Sequence, residues 1–282
     1  MERNTASSQD AGLASVMVPI NLGAGAADRV RLALSLAERF GSRLIGIAAQ
    51  ERAVLYLGDG TVSVDAMLVE EATKAAQEDL AKAEAIFRRV AGHYNDIVWR
   101  SAIDTPLPYI TRNARAADVV LVGRQSSLDT PQGRMALDPA DLVMDLGRPL
   151  LVAPPDVAEL SAENIVIAWR DTREARRAVW DALPFLKRAK TVTIVSVGEG
   201  AAEQGTHDVR DYLALHGVAA DLDVRPKITN FAAQELIDCA RRQKADLIVS
   251  GAYGHSRMRE WLLGGMTADL LESTPVCCLM SH

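Results

Sequence analysis

Aromatic residues make up only 5% of this 282-residue chain, and it has just three cysteines. An odd count, with Cys277 and Cys278 adjacent, does not fit a disulfide framework. Adjacent strand residues point to opposite faces, so these two do not converge on one metal. All three cysteines, Cys239 included, read as small buried hydrophobes. No apolar run approaches the roughly 18 residues of a membrane helix. The opening MERNTASSQDAG is polar and lacks the apolar core of a secretory signal. Positive charge is scarce: 31 Lys and Arg stand against 37 Asp and Glu, for a net charge of −6. That balance speaks against nucleic acid or an anionic membrane as a partner. The sequence contains no G-x-x-x-x-G-K-[S/T], no H-E-x-x-H and no C-x-x-C. Its histidines, His93, His207, His216, His255 and His282, never fall at a ligand spacing, so no metal site is expected. No nucleophile with its base assembles from the sequence, and a non-enzyme in the reducing cytoplasm is expected.

What is present is an alternation. Short aliphatic runs fall at 16–20, 44–49, 97–100, 119–123 and 150–153, and again at 165–169, 192–197, 220–224, 247–251 and 276–280. Amphipathic segments at 28–40, 69–90, 173–187, 209–216 and 232–243 lie between them. Strand–helix alternation implies parallel strands with crossover helices. The fold class is therefore α/β, with two doubly wound sheets of five parallel strands and helices on both faces.

The two halves repeat each other. Ala117-Asp118-Val119-Val120-Leu121-Val122-Gly123 matches Ala245-Asp246-Leu247-Ile248-Val249-Ser250-Gly251. Arg148-Pro149-Leu150-Leu151-Val152 matches Thr274-Pro275-Val276-Cys277-Cys278. A period of roughly 125–145 residues means duplication of a whole domain. Residues 1–155 and 156–282 form the two expected units, with the proline-led segment 154–162 as linker. Their last strands carry hydrophobic edges that need covering, which implies a pseudo-dimer within the chain and leaves a homodimer open. Residues 50–65 form an inserted loop expected to pack over a pocket or an interface.

The stretch richest in chemical meaning leaves a buried strand as Gly251-Ala-Tyr253-Gly254. Nine residues later it reaches Gly264-Gly265-Met266-Thr267 and a predicted helix, 268–273. Ligands of open α/β sheets bind at the carboxyl ends of strands. A helix start there offers unpaired N–H groups and a positive dipole end. Glycines let the backbone reach phosphate oxygens, and Thr267 adds a hydroxyl. The competing reading is that these glycines only permit a tight turn and close packing.

The pattern G-x-x-G, nine residues, then G-[S/T] resembles the nucleotide-binding signature of the universal stress protein family. The resemblance covers both halves and is of the tandem bacterial type. It extends to Ala168-Trp169, Arg173-Glu174-Ala175 and the terminal segment 275–282. It implies the adenine nucleotide α-hydrolase-like fold with sheet order 3-2-1-4-5. It also implies binding of ATP or AMP, with Mg²⁺ only alongside the nucleotide, a role in stress response, and dimerisation through the last strand. Gly251, Gly254 and Gly264 match the signature glycines and Thr267 the second hydroxyl position, whereas Gly265 stands where the family has Ser or Thr. The backbone of Gly264, Gly265 and Met266 is the expected phosphate cradle, reached from Ser250 at the strand end. After the first strand of this half the family's Asp-Gly-Ser is replaced by Arg170-Asp171-Thr172, following Ala168 and Trp169. Arg170 takes the Asp position, and Asp171 substitutes for it through a one-residue shift. Val197 corresponds to a position packing against adenine, and Tyr253 stacks on a ring or packs in the core. His255, Arg257 and Arg259 follow beside the loop.

The first half departs further. After Gly123 it reads Arg124-Gln125-Ser126, and the later cluster becomes Ala136-Leu137-Asp138-Pro139. Asp138 repels phosphate and Pro139 has no N–H. This half is expected not to hold nucleotide in the family's manner. Its loop 21–28 carries Gly23 and Gly25 but lacks a third glycine, and reads as a tight turn. The leading expectation is adenine-nucleotide binding in the second half, with the triphosphate on the 251–267 loop. Two alternatives are a ligand-free dimeric interaction module and a slow phosphohydrolase using His255 or Asp171.

Overall fold

The computed structural model describes residues 12–52, 66–124, 133–226, 231–254 and 265–282. Its first half runs β1 (Ser15–Pro19), α1 (Ala26–Phe40), β2 (Arg43–Ala49), α2 (Ala66–Ala91), β3 (Ile97–Ala102), α3 (Pro106–Asn113), β4 (Val119–Gly123), α4 (Pro139–Asp145) and β5 (Leu150–Ala153). The second half runs β6 (Asn164–Ala168), α5 (Arg173–Asp181), α6 (Leu183–Leu186), β7 (Thr191–Val197), α7 (Thr206–Leu215), β8 (Asp221–Arg225), α8 (Ala232–Arg242), β9 (Leu247–Gly251), α9 (Met266–Ser273) and β10 (Cys277–Ser281).

The strands do not form two separate sheets as the sequence suggests. They form one mixed ten-stranded sheet in the order β3-β2-β1-β4-β5-β10-β9-β6-β7-β8. Each half keeps its own parallel 3-2-1-4-5 order. The join is antiparallel, with Cys278 opposite Val152 and Met280 opposite Leu150. The physical reason lies in the two last strands, whose residues Leu150–Ala153 and Cys277–Ser281 are all buried. Left as free edges they would expose unpaired backbone and apolar side chains together. Around this join the halves also touch through Phe40 and Phe185, whose rings meet edge to face at 5.3 Å. The Arg188 guanidinium lies 4.3 Å from the centre of the Phe40 ring.

Side-chain alternation splits the core into two layers. Val16 and Val18 of β1, and Cys277 and Leu279 of β10, join the layer beneath α1, α2, α5 and α6. Met17, Cys278 and Met280 join the layer beneath α3, α4, α8 and α9. The two adjacent cysteines thus face opposite ways, and all three cysteines are free and buried. Each fully buried aliphatic side chain contributes roughly 1.5–3 kcal/mol, which makes these layers the main source of stability.

Two helices differ from the sequence pattern. The expected helix 173–187 is broken into α5 and α6, because Pro184 has no N–H to give the carbonyl four residues back. The last helix starts at Met266 rather than 268. The inserted loop 50–65 lies outside the described residues from 53 onward. Its first residue, Gln50, is buried and donates from Nε2 to Asp79 at 2.9 Å. No helix among the described residues is long and apolar enough to cross a membrane.

Candidate functional site

In the second half the strand order reverses between β6 and β9, and the carboxyl ends of β6, β7 and β9 open onto a cavity of about 340 Å³. A crevice at such a reversal is where open α/β sheets take ligands. Ala168, Trp169, Arg170 and Thr172 line it from the end of β6, and Val197 from the end of β7. Ser250, Gly251 and Gly254 line it from β9, and Met266 and Thr267 from the start of α9. The structure therefore gathers these ten sequence-predicted residues around one space.

Of the other predicted residues, Asp171, Tyr253 and Gly265 do not line it. Asp171 points away: its carboxylate accepts from Arg176 Nε at 3.0 Å and Nη2 at 2.6 Å. It lines a neighbouring hollow of about 500 Å³ between α5 and α7. A one-residue shift does not bring it into the cavity, because the Trp169–Thr172 turn and the ion pair fix its direction. Tyr253 is buried against the α8–α9 core layer, not displayed for stacking. Its backbone holds φ at 54°, an uncommon value for a residue with a side chain. Its N–H donates to Thr267 Oγ1 at 3.1 Å, which ties the loop after β9 to the first turn of α9. That bond uses the hydroxyl oxygen of Thr267 as acceptor and leaves its proton to donate. Gly265 is the extended N-cap of α9, with no side chain to bond the helix start. The first N–H groups of α9 lack intrahelical acceptors, as at every helix start. Gly264, His255, Arg257 and Arg259 lie outside the described residues.

Close packing accounts for two signature glycines. A methyl group on Gly251 would lie 2.6 Å from the Ala175 nitrogen and 2.8 Å from the Glu174 carbonyl carbon. The first turn of α5 rests directly on the end of β9. A methyl on Gly254 would lie 3.2 Å from Glu174 Oε2 and 3.3 Å from Thr172 Oγ1. Thr172 caps α5 by accepting from the Ala175 N–H at 3.2 Å. Glu174 is buried behind this corner and ion-paired to the exposed Arg173. Burial pushes its carboxyl upward, but bonds from Arg173, its own N–H and Thr172 win and hold it below the usual carboxylate range. The buried group is thus an anion at neutral pH.

A wall that sequence reading missed comes from the end of β7 and the loop after it. Ser196, Gly198, Glu199, Ala201 and Gln204 also line the cavity. Gln204 pins this wall to the β6 turn. Its carbonyl accepts from the Trp169 indole N–H at 2.7 Å, and its Oε1 accepts from the Asp171 N–H at 2.8 Å. The glycines at 198, 200 and 205 were the available signal. Gly200 and Gly205 adopt φ values of 74° and 66°, where glycine carries no steric cost.

The first half differs at the same corner. The Arg29 side chain of α1 fills the space beside Gly123, where an added methyl would lie 3.0 Å from Arg29 Cδ. Its Nη2 donates to Asn21 Oδ1 at 2.5 Å, and burial lowers its pKa. Asp138 does not lie loose: it caps α4, accepting from the Ala140 N–H at 2.8 Å. Residues 125–132, including Gln125 and Ser126, lie outside the described residues. Among the described residues no group of three or more metal-ligating side chains occurs.

No family model matches the chain, and no curated protein matches it. Solved structures do. A universal stress protein from Archaeoglobus fulgidus superposes with a TM-score of 0.69 at 14% identity, covering 95% of this chain and 97% of that one. A protein of unknown function from Pseudomonas aeruginosa gives 0.55 at 16%, covering 95% and 92%. A candidate universal stress protein from the same species gives 0.55 at 17%, covering 95% and 93%. With its five-strand order run twice and joined edge to edge, the chain has the fold of the universal stress proteins.

Proposed function

We propose that this chain is a stress-response protein that binds an adenine nucleotide, without turning it over, in the cavity at the ends of β6, β7 and β9. One observation carries the reading: ten residues singled out in the sequence, half of them through the family resemblance, line a single crevice at the point where the strand order reverses. The wall of Ala168, Val195, Val197 and Leu236 suits a flat apolar base, while Thr172, Arg170 and the start of α9 offer polar groups. The full-length likeness to a universal stress protein is consistent with this use of the fold. Units 1–155 and 156–282 then act as a pseudo-dimer joined at β5 and β10, with the first unit empty.

Nucleotide at one hundred times its dissociation constant is expected to stabilise the chain by about 2.7 kcal/mol. Thermal denaturation with millimolar AMP or ATP, paired with calorimetry, reads this directly. Neither heat nor a shift in midpoint would leave the ligand-free interaction module as the better reading. Mass spectrometry of the small molecule released from denatured, freshly purified protein identifies the natural occupant.

A further inference from the structure

Beside the cavity lies a second space that the nucleotide reading does not use. It is the hollow between α5 and α7, of about 500 Å³ against about 340 Å³ for the cavity. Trp169 and Gln204 line both spaces and so form a shared wall. The wall is held by the bond from the Trp169 indole N–H to the Gln204 carbonyl at 2.7 Å. The hollow is therefore a space of its own and not an extension of the cavity.

Its lining divides into an apolar and a charged part. Trp169, Val179 and Val209 are buried, and Tyr212 is half-buried beside them. The Tyr212 ring is braced by His216, edge to face at 4.7 Å, and His216 in turn meets the Trp180 ring at 5.8 Å. Three charged side chains reach the hollow: Asp171, Arg176 and Asp208. Asp171 and Arg176 satisfy one another through two hydrogen bonds. Asp208 is different. It stands in the first turn of α7 and has no hydrogen-bond or ion-pair partner among the described residues. A carboxylate without a partner, beside two aromatic rings and two valines, complements a cation carried on a flat apolar body. A concave space with an apolar lining and a few polar groups suits a small molecule.

We propose that the hollow is a second binding site, for a small aromatic amine whose ring lies on Trp169 and Tyr212 and whose ammonium donates to Asp208. A neutral compound of the same shape forgoes the charge-assisted bond. A carboxylate in place of the ammonium meets Asp208 as a like charge. The proposal does not depend on what the neighbouring cavity holds.

Calorimetric titration of the full chain with phenethylamine, phenethyl alcohol and phenylacetate tests it. The three share a phenyl ring and differ in carrying an ammonium, a hydroxyl or a carboxylate. Phenethylamine is expected to saturate a single site and to bind about tenfold or more tightly than the alcohol, with phenylacetate weaker still. Asp208 is exposed, so Asp208→Asn is expected to keep the fold, which thermal denaturation checks. The variant should bind the amine no better than the alcohol and leave the alcohol unchanged. Tyr212→Leu should weaken the amine and the alcohol alike. No saturable binding of phenethylamine to the wild type, or equal binding of amine and alcohol, overturns the proposal whether or not the variants fold. A preference for the amine that survives in folded Asp208→Asn also overturns it, because Asp208 lines the hollow and not the cavity.

Discussion

The two halves share a strand order but treat the same corner in opposite ways. In the second half, Gly251 ends β9 against the bare backbone of α5, and α9 begins at a glycine without a cap. In the first, Gly123 ends β4 against the flexible Arg29 side chain, and α4 begins at Asp138, which satisfies its own helix start. One corner is packed by backbone contacts, beside a helix start that its N-cap glycine does not bond through a side chain. The other is filled by a cation, with the helix start already carrying an anion. Both halves keep one strand order, and a few side chains set how each corner is packed.

The largest expected effect comes from adding one methyl to each corner. Gly251→Ala drives Cβ into the Ala175 nitrogen and should cost about 3 kcal/mol, the upper range for overpacking. Gly123→Ala meets only the stem of Arg29, which can swing aside, and should cost under about 1 kcal/mol. Urea denaturation midpoints of the two variants decide the matter. Equal losses would break the contrast between the corners.

The sheet edges offer a second contrast. On β8, Asp223 accepts from Arg225 Nε at 2.8 Å and Nη2 at 2.7 Å, and the Cys239 thiol donates to it at 3.3 Å. On β3, Arg100 donates to the neutral Asn113 at 2.9 Å. Asp223→Asn should cost about 2 kcal/mol at pH 7 by leaving Arg225 with only its longer contact to Glu235, at 3.5 Å. The Arg225 bond holds the Asp223 carboxyl below the usual carboxylate range, so its contribution exists above the unfolded value near 3.9. It is lost as pH falls through the folded value. Denaturation at pH 7 and at pH 3 should show the gap between wild type and variant shrinking on acidification. Asn113→Ala should show no such change.

The smallest effect transplants one corner into the other. Gly265 has φ −89° and ψ 147°, an extended backbone that any residue adopts. Gly265→Asp should cap α9 as Asp138 caps α4, and stabilise the chain by about 0.5–1 kcal/mol. The same carboxylate should abolish any thermal shift from AMP. Increased stability with an intact ligand response would show that the α9 start is not used by the ligand.

Much of the architecture was legible from the chain alone, because strand and helix periods reflect burial directly. The runs at 119–123, 150–153 and 247–251 coincide with β4, β5 and β9. Legibility failed where the answer depended on distant partners. The direction of Asp171 follows from Arg176 and Gln204, and no local pattern records that Gln204 belongs to the cavity wall. Tyr253 lies between two glycines, yet burial against α8 and α9 turns it from a candidate ligand contact into core. Glu174 reads as an ordinary first-turn acid until Gly254 is seen pressed against it.

By itself the sequence determined the duplicated α/β pattern, the burial of its cysteines and the place where the second unit keeps its glycines. Each of these follows from local periodicity and residue size. Only the tertiary structure decided that the two sheets become one, that Arg29 fills the first corner and that a buried carboxylate backs the second. Those outcomes depend on which edges and side chains meet across long stretches of chain, and spacing along the chain does not encode which partners those are.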